Sequence, residues 1–393
     1  MYPMPTLALC RSIFGGMAFP LILANFVLAA SLRADELSTT AAAAPSSSPK
    51  IKLIYDGDIG PDPCDFTTLS MLHEYHRRGL IELLGVAGEA PDPHLASTFS
   101  IYNQFYKHDI PIGVSTNKTG GVKFSDAVAK NYQKVVSDCC HADPNKAIFE
   151  KFATADTQTT DEVLNAVELY RKLLAAADDN SITIYAAGPL FNFPLLLASP
   201  GDKYSPHTGE RLLRDKVQQF VFMGGNFPDS VKSKHHGPEG AEYNWHAWGH
   251  PNTTKSALDA LAKLGKPITY IGYEQGIRIA VGREVAEKLG RKHPTTESYY
   301  QYRSTAKIPP DAADKTPQLT SDNPAFDDLG LFVAVEGGVG KYFRAVRGRV
   351  QVNEKGANTW LPDEEGLEAY ITIIPGKEEK LSKIIAERIT GSY

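Results

Sequence analysis

Short apolar runs separated by stretches of helix length constrain the fold of this chain more than any other feature. IKLIY from Ile51 is followed by a helical stretch from Phe66 to Arg78, IELLGVAG by one from Leu95 to Tyr106, and IPIGVS comes next. The rhythm continues with a helix over Asp161 to Ala177, strands SITIYAAG and Val217 to Met223, a helix over Thr253 to Leu264, and the strand PITYIGY. Strands joined through helices of this length make right-handed βαβ units. The expected fold is therefore α/β, with a mainly parallel central sheet flanked by helices, Rossmann-like in outline. A chain of 393 residues exceeds a typical domain, yet one large sheet absorbs that length, and no boundary interrupts residues 51–393. In such sheets ligands sit at the carboxyl ends of the strands. The loops at Asp56, Ala187-Gly188, Gly224-Gly225 and Glu274 are thus expected on one rim.

The first fifty residues are excluded from that sheet. Arg11 precedes the mostly apolar Ser12 to Leu32, and small residues follow from Ala29 to Ala34, so residues 1–34 read as a signal peptide. Residues 35–50, rich in Ala, Ser and Pro, read as a flexible linker. The expectation is a secreted or extracellular protein. An uncleaved segment would give a membrane-anchored extracytoplasmic domain instead, although Pro20 and Gly15-Gly16 weaken a spanning helix. The sequons at Asn117 and Asn252 agree with export. Once Cys10 leaves with the signal, Cys64, Cys139 and Cys140 remain, an odd set without metal-finger spacing; Cys139-Cys140 is read as two reduced or separately paired thiols rather than a vicinal bridge. A net charge of -5 and the absence of a Lys/Arg run argue against nucleic acid as a partner. Small-molecule chemistry is the default.

The first strand runs into DGDIGPDPCD, a loop carrying Asp56, Asp58, Asp62 and Asp65. Acids this crowded repel one another, which points to a cation or a polyol ligand. Further along stand AAGPLFNFP, in which a strand ends in small residues and a helix is expected from about Pro189, then FMGGNFP, AEYN, and DNPAFDDLGLFVAV. Glu242 and Asn244 lie two apart, on one side of an extended segment. Asp327 and Asp328 open an apolar helix, where capping alone would explain them.

In this order the blocks resemble the inosine-uridine-preferring nucleoside hydrolase family, in its DxDIGxDxDD-bearing branch, from Ile51 to the C-terminus. The resemblance implies calcium-dependent hydrolysis of the N-glycosidic bond of ribonucleosides (EC 3.2.2.-), releasing base and ribose. Calcium would be held by Asp58, Asp65, the carbonyl of Ala187 and Asp327, with the metal-bound water activated by Asp58. The nucleoside would be met by Asp62, Cys64, Asp92, Asn226, Glu242 and Asn244, while Asp56 orients the loop. Homo-oligomers are common in the family.

Three positions depart from the pattern. Cys64 stands where the family has an acid before the calcium-binding aspartate, and losing a charge-assisted contact there would cost on the order of 1.5 to 3 kcal/mol. Asp92 replaces a ribose-contacting asparagine. Phe326 replaces a histidine that protonates the leaving base, leaving Trp245, Trp248 and Phe326 to stack, or His235, His236 and His246 to supply a proton. The alternative reading is a secreted nucleoside- or sugar-binding protein of the same fold with impaired turnover. A two-carboxylate carbohydrate hydrolase is a third reading. A dinucleotide oxidoreductase is disfavoured, because acids rather than glycines follow the first strand.

Overall fold

The computed structural model describes residues 50–116, 122–228, 251–303, 306–307, 318–319, 322–354 and 356–393. The strands of its main sheet are β1 (Ile51–Gly57), β2 (Ile81–Gly88), β3 (Ile112–Val114), β4 (Leu164–Asn165), β5 (Ile182–Ala187), β6 (Val217–Met223), β7 (Ile268–Ile271), β8 (Phe343–Val352), β9 (Asn358–Pro362) and β10 (Glu368–Ile373). They form one sheet in the order β9-β8-β10-β7-β6-β5-β1-β2-β3-β4. Every neighbour pair from β4 across to β10 is parallel, while β8 runs antiparallel to both β9 and β10.

The order places the site. After β1 the chain builds outward through β2, β3 and β4, then returns to lay β5 against the other side of β1, so the direction of winding reverses between β1 and β5. Gly57 pairs with Gly88 on one side and with Ala187 on the other. The loops leaving β1, β2 and β5 therefore start level, at the switch point where α/β sheets bind ligands.

Alternation along the buried β1 feeds two cores. Leu53 and Tyr55 join a layer containing Phe66, Leu69, Phe99, Leu329 and Leu381. Ile54 points the other way, into a layer with Leu169, Leu196, Leu212 and Leu258. The helices Pro63–Arg77, Leu95–Tyr106, Phe326–Glu336 and Glu378–Thr390 thus cover one face, and Ala166–Ala176, Asn192–Ala198, Gly209–Lys216 and Pro251–Leu261 the other. The chain from Ser48 to Tyr393 is one compact unit. Among the described residues no helix is long and apolar enough to cross a membrane, and the signal and linker segments up to residue 49 lie outside the described residues.

Several element bounds differ from the sequence reading for local reasons. The helix expected from Asp161 begins at Ala166, because Leu164–Asn165 pairs as an edge strand and the Asn165 side chain accepts the Glu168 N–H at 2.9 Å as an N-cap. The helix expected from Pro189 starts at Asn192, after Leu190 turns into the left-handed region at φ 66. The antiparallel edge β8 to β10 was not named in the sequence reading, since β8 is largely exposed, carries Arg and Gln between its apolar residues and lacks a long apolar run.

Candidate cation and ligand pocket

Helix capping shapes the loop after β1. Asp62 is the N-cap of the helix Pro63–Arg77, with Pro63 pre-set for the first turn, and its carboxylate accepts from the Cys64 N–H at 3.1 Å. Asp65 returns the contact, its Oδ2 accepting from the N–H groups of Asp62 at 3.4 Å and Gly60 at 2.9 Å. A Cβ on Gly60 would lie 2.0 Å from the Tyr132 hydroxyl, so only glycine lets the loop pass this close. Asn323 donates to Asp62 at 2.8 Å and ties the loop to the segment entering the helix Phe326–Glu336.

Asp327 and Asp328 lie in the first turn of that second helix. Two helix N-termini therefore point partial positive charge at the same acids. Asp328 is consumed structurally, accepting from Thr67 at 2.8 Å and Thr68 at 3.0 Å. Asp327 behaves differently. Its carboxyl group lies within hydrogen-bond reach of Asp65, and its buried Oδ2 has no hydrogen-bond partner. Its backbone carbonyl accepts from Tyr185 at 2.6 Å.

A cavity of about 280 Å³ opens over this cluster, lined by Asp58, Asp62, Cys64, Asp65, Asp327 and an apolar wall that includes Met223, Tyr273 and Phe326. One ligand atom each from Cys64, Asp65 and Asp327 lies within 4.8 Å of the others. Burial, then repulsion from Asp327 and Asp58, holds the Asp65 carboxyl well above the ordinary carboxylate range; burial likewise raises Asp327. Burial lifts Asp62 to about 6 and the Cys64 thiol well above its usual value. Carboxylates in mutual contact plus an orphaned buried oxygen fit a divalent cation, which would supply the missing counter-charge.

Comparison with known proteins follows the same line. No family model matches the chain. It is 24% identical over 237 residues to the pyrimidine-specific ribonucleoside hydrolase RihA of Shewanella sp. (strain MR-7), covering 60% of this chain and 63% of that protein. At this low identity the chain resembles a ribonucleoside hydrolase over 60% of its length. Its fold matches the purine-preferring ribonucleoside hydrolase from Gardnerella vaginalis, with TM-score 0.55, 15% identity and coverage of 86% of this chain and 98% of that one. It also matches the type III effector XopQ complexed with adenosine diphosphate ribose, with TM-score 0.57, 14% identity and coverage of 88% and 95%. The nucleoside hydrolase fold is thus present, with its mainly parallel sheet.

The structure places the other sequence-predicted residues as follows. Ala187 is fully buried at the end of β5, paired with Gly57 one residue before Asp58. Asp56 is buried away from the cavity lining, accepting from Asn192 at 3.0 Å and Tyr170 at 2.9 Å, and burial raises it to about 6. Asp92 does not line this cavity. Its carboxylate accepts from the His94 N–H at 2.7 Å, Asn145 at 2.9 Å and Tyr132 at 3.3 Å, and it borders a separate depression beside Thr159 and Thr160. The same Asn145 donates to the Ile59 carbonyl at 2.8 Å, so Asp92 buttresses the β1 loop from behind. Asn226 is also absent from the lining. Its backbone N–H and carbonyl are each held by Asn358 at 2.9 Å. Glu242, Asn244, Trp245, Trp248, His235, His236, His246 and Asn117 lie outside the described residues.

Cys139 and Cys140 are free thiols, and Cys140 donates to the Pro61 carbonyl at 3.3 Å behind the loop. Phe326 stacks on Tyr273 with ring centroids 5.0 Å apart, forming an aromatic wall on the cavity. The sequence reading overlooked Glu89. It is fully buried at the end of β2 and accepts from three successive N–H groups, those of Leu190 at 2.8 Å, Phe191, and Asn192 at 3.4 Å. An acid directly after the buried carboxyl end of a strand was the available signal.

Proposed function

We propose that the chain hydrolyses the N-glycosidic bond of ribonucleosides, releasing base and ribose, with a calcium ion at the floor of the pocket. The observation that carries this reading is the convergence of Asp58, Asp65 and Asp327 on one buried cavity, with an Asp327 oxygen left unpartnered. The similarity to ribonucleoside hydrolases supports the reaction class. Asp58, Asp65, Asp327 and the Ala187 carbonyl would hold the ion. When bound, it supplies positive charge for sugar hydroxyls and makes a nearby water easier to deprotonate.

The chain's own residues do the rest. Asp58 accepts the proton of the attacking water as the base departs. Asp62, on the cavity wall beside Cys64, takes sugar hydroxyls in place of the missing acid. The Tyr273–Phe326 pair on the cavity wall offers the base a planar apolar neighbour. Glu242 and Asn244 remain the proposed ribose contacts. Export, supported by the apolar segment before residue 34, and assembly into a homo-oligomer belong to the same proposal.

Incubation with a panel of ribonucleosides should release free base, chelation should stop it, and calcium should restore it. Release that chelation leaves untouched would overturn the reading. A second reading, a nucleoside-binding protein with little turnover, draws on Cys64 and on the lack of histidine among the described lining residues. Calorimetric binding of a nucleoside to the calcium-loaded protein, with no base released, would select it.

A further inference from the structure

The thiol of Cys64 sits inside the proposed cation site. Its sulfur and one oxygen each from Asp65 and Asp327 lie within 4.8 Å of one another. Ligands of a single ion, at roughly 2.0–2.6 Å from it, stand at most about 4–5 Å apart, so all three can touch one cation after small rotations. The Cys64 side chain is buried and forms no disulfide. An independent feature points the same way: Asp327 is only 4% exposed, lines the cavity, and has an oxygen without a partner.

An oxygen-only cage suits calcium, whereas a sulfur donor turns preference toward softer ions. We propose that the pocket takes a thiophilic divalent cation of the zinc or cadmium class, with Cys64 Sγ as a ligand beside Asp65 and Asp327. The S–H bond breaks as the sulfur–metal bond forms, and the proton leaves to water. This inference rests on the cation-pocket reading above and goes beyond it: the oxygens admit calcium, and the sulfur gives the same site a preference for the softer ion where both are present.

The test uses the full chain, freed of metal by chelation and dialysis, and titrated with cobalt(II) or cadmium(II) chloride alone. A sulfur-to-metal charge-transfer band should appear in the ultraviolet, persist in Cys139→Ser and Cys140→Ser, and vanish in Cys64→Ser. Cadmium affinity should fall roughly tenfold or more in Cys64→Ser, with calcium affinity changed by less than about threefold. Circular dichroism checks that each variant is folded. Cobalt bound without the band, or a band that survives Cys64→Ser, overturns the sulfur ligation and leaves the oxygen site standing. Binding of no divalent ion by equilibrium dialysis overturns the cation pocket and this inference together.

Discussion

Replacing Asp327 by Asn tests the pocket through stability rather than turnover. Without a cation, the Asp65 and Asp327 carboxyl groups face each other in a buried cavity, within 4.8 Å. Two full charges at that separation repel by about 3–4 kcal/mol at an effective dielectric of about 20, an upper limit because the pair takes up a proton to relieve it. Asn at 327 removes the repulsion and offers an N–H to Asp65. It also removes an acid from the first turn of the helix Phe326–Glu336, which costs about 0.3–1 kcal/mol. The chelated variant should therefore be more stable than the chelated native chain by about 1–2 kcal/mol, or a few degrees in Tm.

Calcium should invert the order. At a concentration about a hundred times Kd, binding stabilises the native chain by about 2.7 kcal/mol. The variant lacks the ligand that has no other partner and should gain little. Differential scanning calorimetry of both proteins, in chelator and in excess calcium, gives the four values needed. A chelated variant less stable than the chelated native chain, or equal calcium gains in the two, would refute the argument that Asp327 is held against its neighbours for a cation.

The remaining predictions address other parts of the site. In chelator, stability should fall as pH rises, because burial lifts the folded-state carboxyls: Asp62 to about 6, Asp328 to about 8 and Asp65 above the usual range. Such groups favour the folded state fully below the unfolded value of about 4 and lose that contribution as pH passes their folded values. Melting curves at several pH values, taken as the difference between chelated and calcium-loaded protein, isolate this effect from the buried histidines, whose lowered values act in the opposite sense. Asp58→Asn should lower base release at least about a hundredfold with the fold kept by circular dichroism; near-native release excludes Asp58 as the base. Cys64→Asp should raise kcat/KM by about ten- to a hundredfold, and no gain with calcium bound counts against the missing acid as the defect. Asn145→Ala leaves the Ile59 carbonyl and the Asp92 Oδ2 to share the single Tyr132 hydroxyl, so urea unfolding should show a loss of about 1–3 kcal/mol. An unchanged midpoint would deny the buttress.

Much of this was legible because periodicity and motif position carry it. The parallel order of β1 to β7 follows from strands alternating with helices, and the level ends of β1, β2 and β5 follow from that order. The convergence of the Asp58 loop with Asp327 was legible only through the resemblance, since no spacing rule links residues so far apart in the chain. Asp92 shows the limit. Sequence places it just beyond a strand end, at the correct rim, but cannot tell whether a side chain there turns into the cleft or back toward Asn145 and Tyr132. Leu190 shows another, because nothing about leucine predicts a left-handed turn; the three N–H groups converging on Glu89 over-determine it. The pairing of Phe326 with Tyr273 depended on the short helix Tyr273–Gly276 packing beside the second aspartate helix.

The buried acids of this rim fall into two kinds, and the distinction is one of donors. Asp56 has Asn192 and Tyr170, Glu89 has three backbone N–H groups, Asp92 has an N–H, an amide and a phenol, and Asp328 has two threonine hydroxyls. Each can be buried because fixed protein dipoles replace the water it lost. These acids lock β1, β2 and β5 to their following loops and need nothing further. Asp65 takes backbone N–H groups of Gly60 and Asp62 on one oxygen but also meets Asp327, and one Asp327 oxygen has no donor at all. A fold able to place threonines opposite Asp328 could have done the same for its neighbour one residue earlier. Leaving Asp327 short of donors beside a second carboxyl group costs stability in the bare protein, and a divalent cation is the partner whose charge and coordination number recover that cost at this spacing.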